Sequence, residues 1–276
     1  MIKNIIKLLF GHQLGRFFII RKLFNFLMFI LDKLKISGDI DGLKMYLNSK
    51  ITIQLFVSAN KKLFEKLIFE KQIKEGDTVL DLGANVGYYT LIAAKLVGDN
   101  GRVYAFEPDP LNFSYLQKNI KLNGFDNCIM EQKAISDKNE NSKFYLNEND
   151  FSMHSMYSTE GTKKNIEIET IKLDGYFNNN KVDFIKIDIE GGEYWALQGM
   201  RSILESNKNI KIFTEFNPNL LKKSNIKPKE YLDLLEKNNF KLFNIDDKKK
   251  ELKIITVKEL IERYVNGGYT NLICKR

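Results

Sequence analysis

The chain has 276 residues, 43% of them hydrophobic, which suffices for one large domain or for one domain with appendages. Its net charge of +8 lies mostly in residues 1–35, and arginine supplies six of the 43 basic residues; no basic stripe with interleaved aromatic residues follows, which argues against nucleic acid as a partner. Cys128 and Cys274 match no metal-binding or redox spacing, which argues against a secreted disulfide framework and predicts a cytoplasmic protein.

The first 35 residues combine apolar and basic side chains at helical spacing. Their longest apolar run, 23–31, is shorter than the roughly 20 residues that a transmembrane helix needs, and no small-residue cleavage site of a signal peptide follows it. Two interpretations stay open: an interfacial helix on the anionic inner face of a membrane, or a helix packed on the domain or on a second copy of the chain. We therefore expect residues 1–50 to be a helical extension, with peripheral membrane binding and homo-oligomerisation as hypotheses.

Beyond a helical pattern at 40–75, strands and helices alternate along the chain. The predicted strands are 78–82, 102–106, 127–134, 183–189, 210–216, 241–245 and 270–274, and the predicted helices are 88–97, 110–123, 194–204, 228–238 and 257–264. This alternation indicates right-handed crossovers and an α/β fold with a doubly wound, mainly parallel sheet. Residues 137–181 are polar and irregular, which predicts an insertion with a short hairpin at 143–146 and 166–173 in one domain at 51–276.

A glycine-rich loop, DLGANVG at 81–87, follows the first strand of this alternation and begins a helix. Glycine at such a turn permits positive φ and close approach of a ligand, and the helix amides favour its polar or anionic edge. Glu107 ends the next strand, where a carboxylate can accept hydrogen bonds from both ribose hydroxyls. A dinucleotide loop would need glycine where the chain has Asn85 and Tyr88. The spacing D-x-G-x-x-x-G instead resembles the S-adenosylmethionine loop of class I methyltransferases, with a nicotinamide-dependent oxidoreductase as the alternative.

Carboxylates gather at the ends of two later strands. In KIDIEGGE at 186–193, alternation places Asp188 and Glu190 on one face, and TEFNP at 214–218 ends the adjacent strand with Glu215 and Asn217. Because the carboxyl ends of parallel strands meet at the ligand edge of the sheet, we expect these groups to share a cleft. Three alternatives stay open: Glu190 caps the following turn or helix, Lys186 neutralises Asp188, or the two acids hold a divalent cation. A metal is not expected.

Five stretches in the expected order resemble the FkbM-type methyltransferase family: VLDLGANVGYYTLIAAKLVG, GRVYAFEPDPLNFSYLQKNIKLNG, KAISD, VDFIKIDIEGGEYWALQGM and TEFNP. Gly192 departs from the family pattern, in which a small residue such as alanine is common. The resemblance implies a seven-stranded, Rossmann-like class I fold, S-adenosylmethionine as cofactor, and O-methylation of a sugar, glycan, lipid or polyketide hydroxyl. It implies cofactor binding by Asp81, Gly83, Asn85, Gly87, Glu107, Asp109, Asn112 and Ala134.

An O-methyltransferase must align its acceptor with the methyl donor and remove the hydroxyl proton. The resemblance places Asp188 beside the donor, and Glu190 and Glu215 are expected to orient or deprotonate the acceptor. His154, in FSMHSMY, is a second candidate for the proton acceptor, with Ser152, Ser155 and Asn149 as candidate hydrogen-bond partners of the substrate. A non-catalytic binding module that keeps the cofactor fold is a further alternative.

Overall fold

The computed structural model describes residues 30–31, 33–47, 52–53, 55–56, 64–147, 154–158, 164–177 and 180–276. Its strands are β1 (Ser37–Ile40), β2 (Leu43–Tyr46), β3 (Thr78–Leu82), β4 (Arg102–Phe106), β5 (Cys128–Glu131), β6 (Ala134–Ile135), β7 (Glu140–Leu146), β8 (Lys164–Ile171), β9 (Phe184–Ile187), β10 (Lys211–Phe216), β11 (Lys241–Asp246), β12 (Glu251–Ile254) and β13 (Thr270–Lys275). Its helices are α1 (Phe64–Glu70), α2 (Tyr88–Val97), α3 (Pro110–Asn123), α4 (Leu173–Phe177), α5 (Glu193–Gln198), α6 (Arg201–Ser206), α7 (Pro218–Lys223), α8 (Pro228–Lys237) and α9 (Val257–Tyr264).

Within the described ranges, eight strands form the central sheet in the order β12-β11-β13-β10-β9-β3-β4-β5. The neighbours from β10 to β5 pair in parallel, whereas β13 lies antiparallel between β10 and β11. The predicted doubly wound, mainly parallel α/β fold is therefore confirmed. The expected seven strands become eight because residues 251–254 return from the lysine-rich turn and pair with β11.

The central strands are buried on both faces of the sheet. Leu80 and Leu82 pack in one hydrophobic cluster with Ile185 and Ile187, and Val79 and Phe184 pack in a second cluster on the opposite face. Helices therefore cover both faces, as a parallel sheet requires. A charged side chain in such a strand has to find its partner inside the protein.

The N-terminal segment departs from the helical prediction between residues 37 and 46. β1 and β2 form a hairpin in which Ile40 pairs with Leu43, so its loop consists of Asp41 and Gly42. Both loop residues have positive φ, 56° and 80°, and Asp-Gly is a favoured pair for a two-residue hairpin turn. The hairpin packs on α3, whose Asn119 and Asn123 bond the backbone of β2. The helical extension expected at 1–50 is thus wrong for this part.

Residues 1–29 of that extension lie outside the described residues, and the two hypotheses for them stay predictions. Among the helices that the structure describes, none combines the length and the apolar composition needed to cross a bilayer.

The strand predicted at 127–134 is two strands in different sheets. β5 belongs to the central sheet, and β6 pairs with β8 in a three-stranded sheet of order β6-β8-β7. β7 and β8 form the antiparallel hairpin expected in the insertion. The helix predicted at 194–204 is also split, into α5 and α6. Gly199 lies between them, where an added Cβ would fall 2.0 Å from the carbonyl oxygen of Ser136.

Candidate functional site

The glycine loop crosses the carboxyl ends of β3, β4 and β9. Gly83, Asn85 and Gly87 have positive φ of 79°, 51° and 94°, which glycine and asparagine adopt most readily. A Cβ on Gly83 would lie 2.0 Å from the carbonyl oxygen of Asp188, so only glycine lets the loop pack against the end of β9. The amides of Gly83 and Ala84 both donate to the carbonyl of Phe106, each at 3.0 Å. The loop is thereby fixed to the ends of β9 and β4, the two strands that flank β3.

Glu107 connects this loop to the start of α3. Its Oε2 accepts a 2.8 Å hydrogen bond from the Asn85 amide, and its Oε1 accepts one of 2.9 Å from the Asp109 amide. Asp109 in turn caps α3, because its Oδ1 accepts from the Asn112 amide at 2.7 Å. Burial raises the pKa of Glu107 to about 7. Each carboxylate oxygen has a second lone pair, so Glu107 can still accept hydrogen bonds from a ligand.

Asp81 lies within the sheet, behind the glycine loop. Its Oδ2 accepts a 2.6 Å hydrogen bond from the Thr90 hydroxyl, and its Oδ1 lies 3.1 Å from Nζ of Lys186. Lys186 also donates to the carbonyl of Gly83 at 3.0 Å, and its Nζ lies 3.9 Å from Oδ2 of Asp188. Burial lowers the pKa of Lys186, but Asp81 and Asp188 outweigh burial and the net shift is upward. The nearer partner of this buried lysine is thus Asp81.

An open pocket lies beside the loop and encloses about 540 Å³ with the solvent at its mouth included. Of the residues expected at a cofactor or catalytic site, the pocket is lined by Gly83, Asn85, Glu107, Asn112, Ala134, His154, Asp188 and Glu190. Asp81, Gly87, Asp109 and Glu215 do not line it. Gly87 lies at the contact between α2 and α3, where a Cβ would meet Leu116 at 2.7 Å. The remaining lining residues, which the sequence did not single out for this role, are Phe106, Pro108, Lys133, Ile135, Phe144, Met156 and Ile189.

The insertion forms one wall of this pocket. Phe144 of β7 makes an edge-on contact with the His154 ring, their centroids 6.1 Å apart. Nδ1 of His154 lies 3.3 Å from Oδ2 of Asp109. Burial raises the pKa of Asp109, but His154 and the Asn112 amide lower it, and the net shift is downward. Ser155 exchanges backbone hydrogen bonds with Tyr145. Asn149 and Ser152, the other candidates of this segment, lie outside the described residues.

The turn after β9 differs from the predicted strand. β9 ends at Ile187, and Glu190 has a φ of 54°, so strand alternation does not extend to Glu190. The turn is held by Glu193, whose Oε1 accepts 3.2 Å hydrogen bonds from the amides of Ile189 and Gly191. Burial raises the pKa of Glu193 to about 7. Asp188 follows the strand directly, and its side chain is 44% exposed.

Further carboxyl groups extend the site beyond Asp188. Burial raises the pKa of Glu215, and the charges of Asp188 and Glu190 raise it further. Its Oε2 is buried without a hydrogen-bond partner among the described residues. Glu65 of α1 belongs to the same charged neighbourhood: burial raises its pKa, and it accepts a hydrogen bond from the Tyr89 hydroxyl.

Tyr269, which is 62% exposed, feels the charges of these carboxyl groups. Burial of its hydroxyl raises the pKa of Tyr269, and the charges of Glu215 and Glu65 add to the shift. In the part of the chain that the structure describes, no group of three or more histidine, cysteine or acidic side chains could hold a metal ion.

Comparison with known proteins shows which family the region around this site resembles. Residues 81–242 match the family model described as "Methyltransferase FkbM domain". The hexuronic acid methyltransferase AglP of Haloferax volcanii is 28% identical over 144 residues, which are 51% of this chain and 56% of AglP. A protein of Methanocaldococcus jannaschii is 44% identical over 70 residues, 25% of this chain and 26% of its own length. The chain thus spans at most about half of these relatives. A solved S-adenosylmethionine-dependent O-methyltransferase of Thermotoga maritima is 14% identical, with a TM-score of 0.43 over 77% of this chain and 64% of its own.

Proposed function

Because the chain belongs to the FkbM family of methyltransferases, we propose that it is an S-adenosylmethionine-dependent O-methyltransferase that acts on a sugar or glycan hydroxyl. The observation that carries the proposal is the pocket between the glycine loop and Asp188. Beside it, an acceptor cleft would be formed by residues that influence one another electrostatically: Glu65, Asp188, Glu190, Glu215 and Tyr269. Hydroxyl groups of lipids and of polyketide products are the alternative acceptors.

The pocket lining fits S-adenosylmethionine better than a dinucleotide. Among the described residues that line it, Glu107, Asp188 and Glu190 supply three carboxyl groups, against one ammonium group from Lys133. Such a lining favours a ligand with a sulfonium, an ammonium and ribose hydroxyls, and it opposes the negative charge of a pyrophosphate. A nicotinamide-dependent oxidoreductase is therefore not favoured by the site.

The residues that line the pocket would hold the cofactor directly. Gly83 and Asn85 would do so from the glycine loop, Glu107 and Asn112 from the start of α3, and Ala134 from β6. Asp81, Gly87 and Asp109 would support them from behind the wall: Asp81 through Lys186, Gly87 through helix packing and Asp109 through its cap on α3. When bound, the cofactor supplies a methyl group that its sulfonium already activates.

Two carboxyl groups of the acceptor cleft would have different roles. Asp188 lies at the pocket and is partly exposed, so it can accept the proton of an acceptor hydroxyl. Glu215 has a raised pKa and therefore holds a proton near neutral pH, so it can donate a hydrogen bond but cannot act as the base. The exposed ring of Tyr269 offers an apolar face to the C–H groups of a sugar ring. The sugar acceptor of the relative AglP, named as a hexuronic acid, supports this class.

Two measurements on the full chain test the proposal. We expect S-adenosylhomocysteine to bind in calorimetry and NAD not to bind; NAD binding alone would support the oxidoreductase instead. A methyl-transfer screen over neutral and acidic glycosides, lipid alcohols and polyketide alcohols should then give product with a glycoside. Asp188→Asn should abolish transfer and keep cofactor binding, which would also exclude a non-catalytic module. Asp233→Asn changes an exposed ion pair on α8 and is the matched control, expected to transfer as the unchanged chain does.

A further inference from the structure

His154 and Ser155 contact two different segments beside the pocket, although they are adjacent in sequence. Nδ1 of His154 lies 3.3 Å from Oδ2 of Asp109, at the start of α3. The Ser155 hydroxyl donates a 2.8 Å hydrogen bond to the carbonyl of Glu190, in the turn after β9. Residues 154 and 155 therefore connect the start of α3, beside Glu107, to the turn that follows Asp188.

The contact of His154 is fixed from the side of Asp109. One oxygen of Asp109, Oδ1, is occupied by the cap on α3, and the other, Oδ2, lies towards His154. The two side chains are only 6% and 5% exposed, and both ring nitrogens of His154 are buried. Asp109 is moreover linked through its amide to Glu107, which binds the glycine loop. A displacement of His154 would therefore also shift the residues that are expected to hold the cofactor.

This geometry does not suit the role of proton acceptor that the sequence suggested for His154. An acceptor base has to present a nitrogen to the substrate hydroxyl, whereas both ring nitrogens of His154 are buried, Nδ1 lies 3.3 Å from Asp109, and the ring makes an edge-on contact with Phe144. The charge of Asp109 instead favours an imidazole that donates from Nδ1.

We infer that His154 is a positioning residue for the cofactor: through Asp109, and together with Ser155, it holds residues 154–158 across the pocket and so sets the cofactor's affinity. The inference rests on the proposed function, because it concerns the pocket that the cofactor would occupy. His154 acts on the ligand through the wall that it fixes, and Ser155 secures the other end of the same wall.

Calorimetry with S-adenosylhomocysteine on the full chain tests the inference. Loss of one buried, charge-assisted contact should weaken binding about tenfold in His154→Ala. Asp109→Asn keeps a good cap for α3 while it removes the charge, so it should weaken binding by a similar factor. The double variant should be no weaker than the single ones, because both changes remove one interaction. His154→Asn retains a short N–H donor and should recover part of the affinity.

A spectroscopic measurement separates this role from a general loss of stability. The chain has only two histidines, so the ring nitrogens of His154 can be assigned in a nitrogen-15 spectrum with one variant. Their shifts should change when S-adenosylhomocysteine is added and in Asp109→Asn, while the melting temperatures of His154→Asn and the unchanged chain stay similar.

The outcomes that contradict the inference are distinct from those that contradict the proposed function. Unchanged S-adenosylhomocysteine affinity in both His154→Ala and His154→Asn would overturn the inference alone. Additive losses in the double variant would overturn the assignment of Asp109 as the partner. A chain that does not bind S-adenosylhomocysteine at all would overturn the proposed function and this inference with it.

Discussion

Nζ of Lys186 lies 3.1 Å from Oδ1 of Asp81, and this ion pair is buried between the two adjacent parallel strands β9 and β3. The same ammonium group bonds the carbonyl of Gly83, so the pair links the interior of the sheet to the loop at its edge. A buried pair of this kind contributes little net stability while it is intact, but the loss of one partner leaves an uncompensated charge.

Lys186→Met should therefore destabilise the fold by about 3–5 kcal/mol, because it leaves Asp81 buried without its cation. Urea unfolding measures this loss. Lys181→Met is the matched control: Lys181 pairs with Asp183 on the surface, where an ion pair contributes about 0–1 kcal/mol. A double variant with Asp81→Asn should be more stable than Lys186→Met alone. Equal stability of the two lysine variants would contradict the prediction.

Gly83→Ala should abolish cofactor binding and destabilise the fold by about 2 kcal/mol or more, because it adds a methyl group at positive φ against the backbone of Asp188. Gly175→Ala is its control, since nothing lies within 4 Å of a Cβ at that position and alanine is favoured in the helix α4. Thermal unfolding and S-adenosylhomocysteine calorimetry measure both effects. Normal binding in Gly83→Ala would show that the loop can move away from β9.

The stability of the chain should fall as the pH rises from about 4.5 to about 7. Glu193 has a folded pKa of about 7, raised by burial from the ordinary 4.5, so in this range the folded state binds a proton that the unfolded state has released. Glu193→Gln keeps an oxygen for the amides of Ile189 and Gly191 but does not titrate. The fall in unfolding free energy between these pH values should therefore be smaller in the variant. If urea unfolding gives the same pH dependence of the unfolding free energy for the variant and for the unchanged chain, Glu193 is not the origin of the fall.

The acceptor cleft should favour neutral sugars over uronic acids. Glu190 and Asp188 carry the same charge as a uronate, and such repulsion weakens as salt screens it. We expect methyl transfer to a neutral glycoside to exceed transfer to the matching uronide about tenfold at low salt, with a smaller ratio at high salt and in Glu190→Gln. A preference for the uronide that is insensitive to salt would contradict the prediction.

The cofactor side of the site could be predicted because its signals are local. The glycines at 83 and 87 and the acid at 107 lie at strand ends that the hydrophobic pattern defines, and a parallel sheet brings such ends together. Asp41-Gly42 is an equally local signal, in this case for a hairpin turn. The helical pattern expected at 40–75 predicts a different structure there, and that prediction is wrong. Strand alternation misplaces Glu190, because it was continued up to the double glycine at 191–192, whereas the turn that this glycine pair signals already includes Glu190.

The acceptor side could not be predicted in the same way, because contacts between distant segments build it. Asp247 accepts hydrogen bonds from the amides of Phe64 and Glu65 and thereby caps α1. This places Glu65 near Glu215, although 150 residues separate them in the chain. Likewise, the partner of His154 is Asp109, and no sequence period connects the two.

The cap that Asp247 makes on α1 matters when the chain is shortened to a fragment for expression. Residues 81–242, the stretch matched by the family model, contain the glycine loop but leave out both Glu65 and Tyr269. An expression fragment cut to that stretch would keep most of the pocket beside the glycine loop and lose two residues of the proposed acceptor cleft. For the same reason, a relative that aligns only within that stretch has no counterpart of Glu65 or Tyr269 in the alignment.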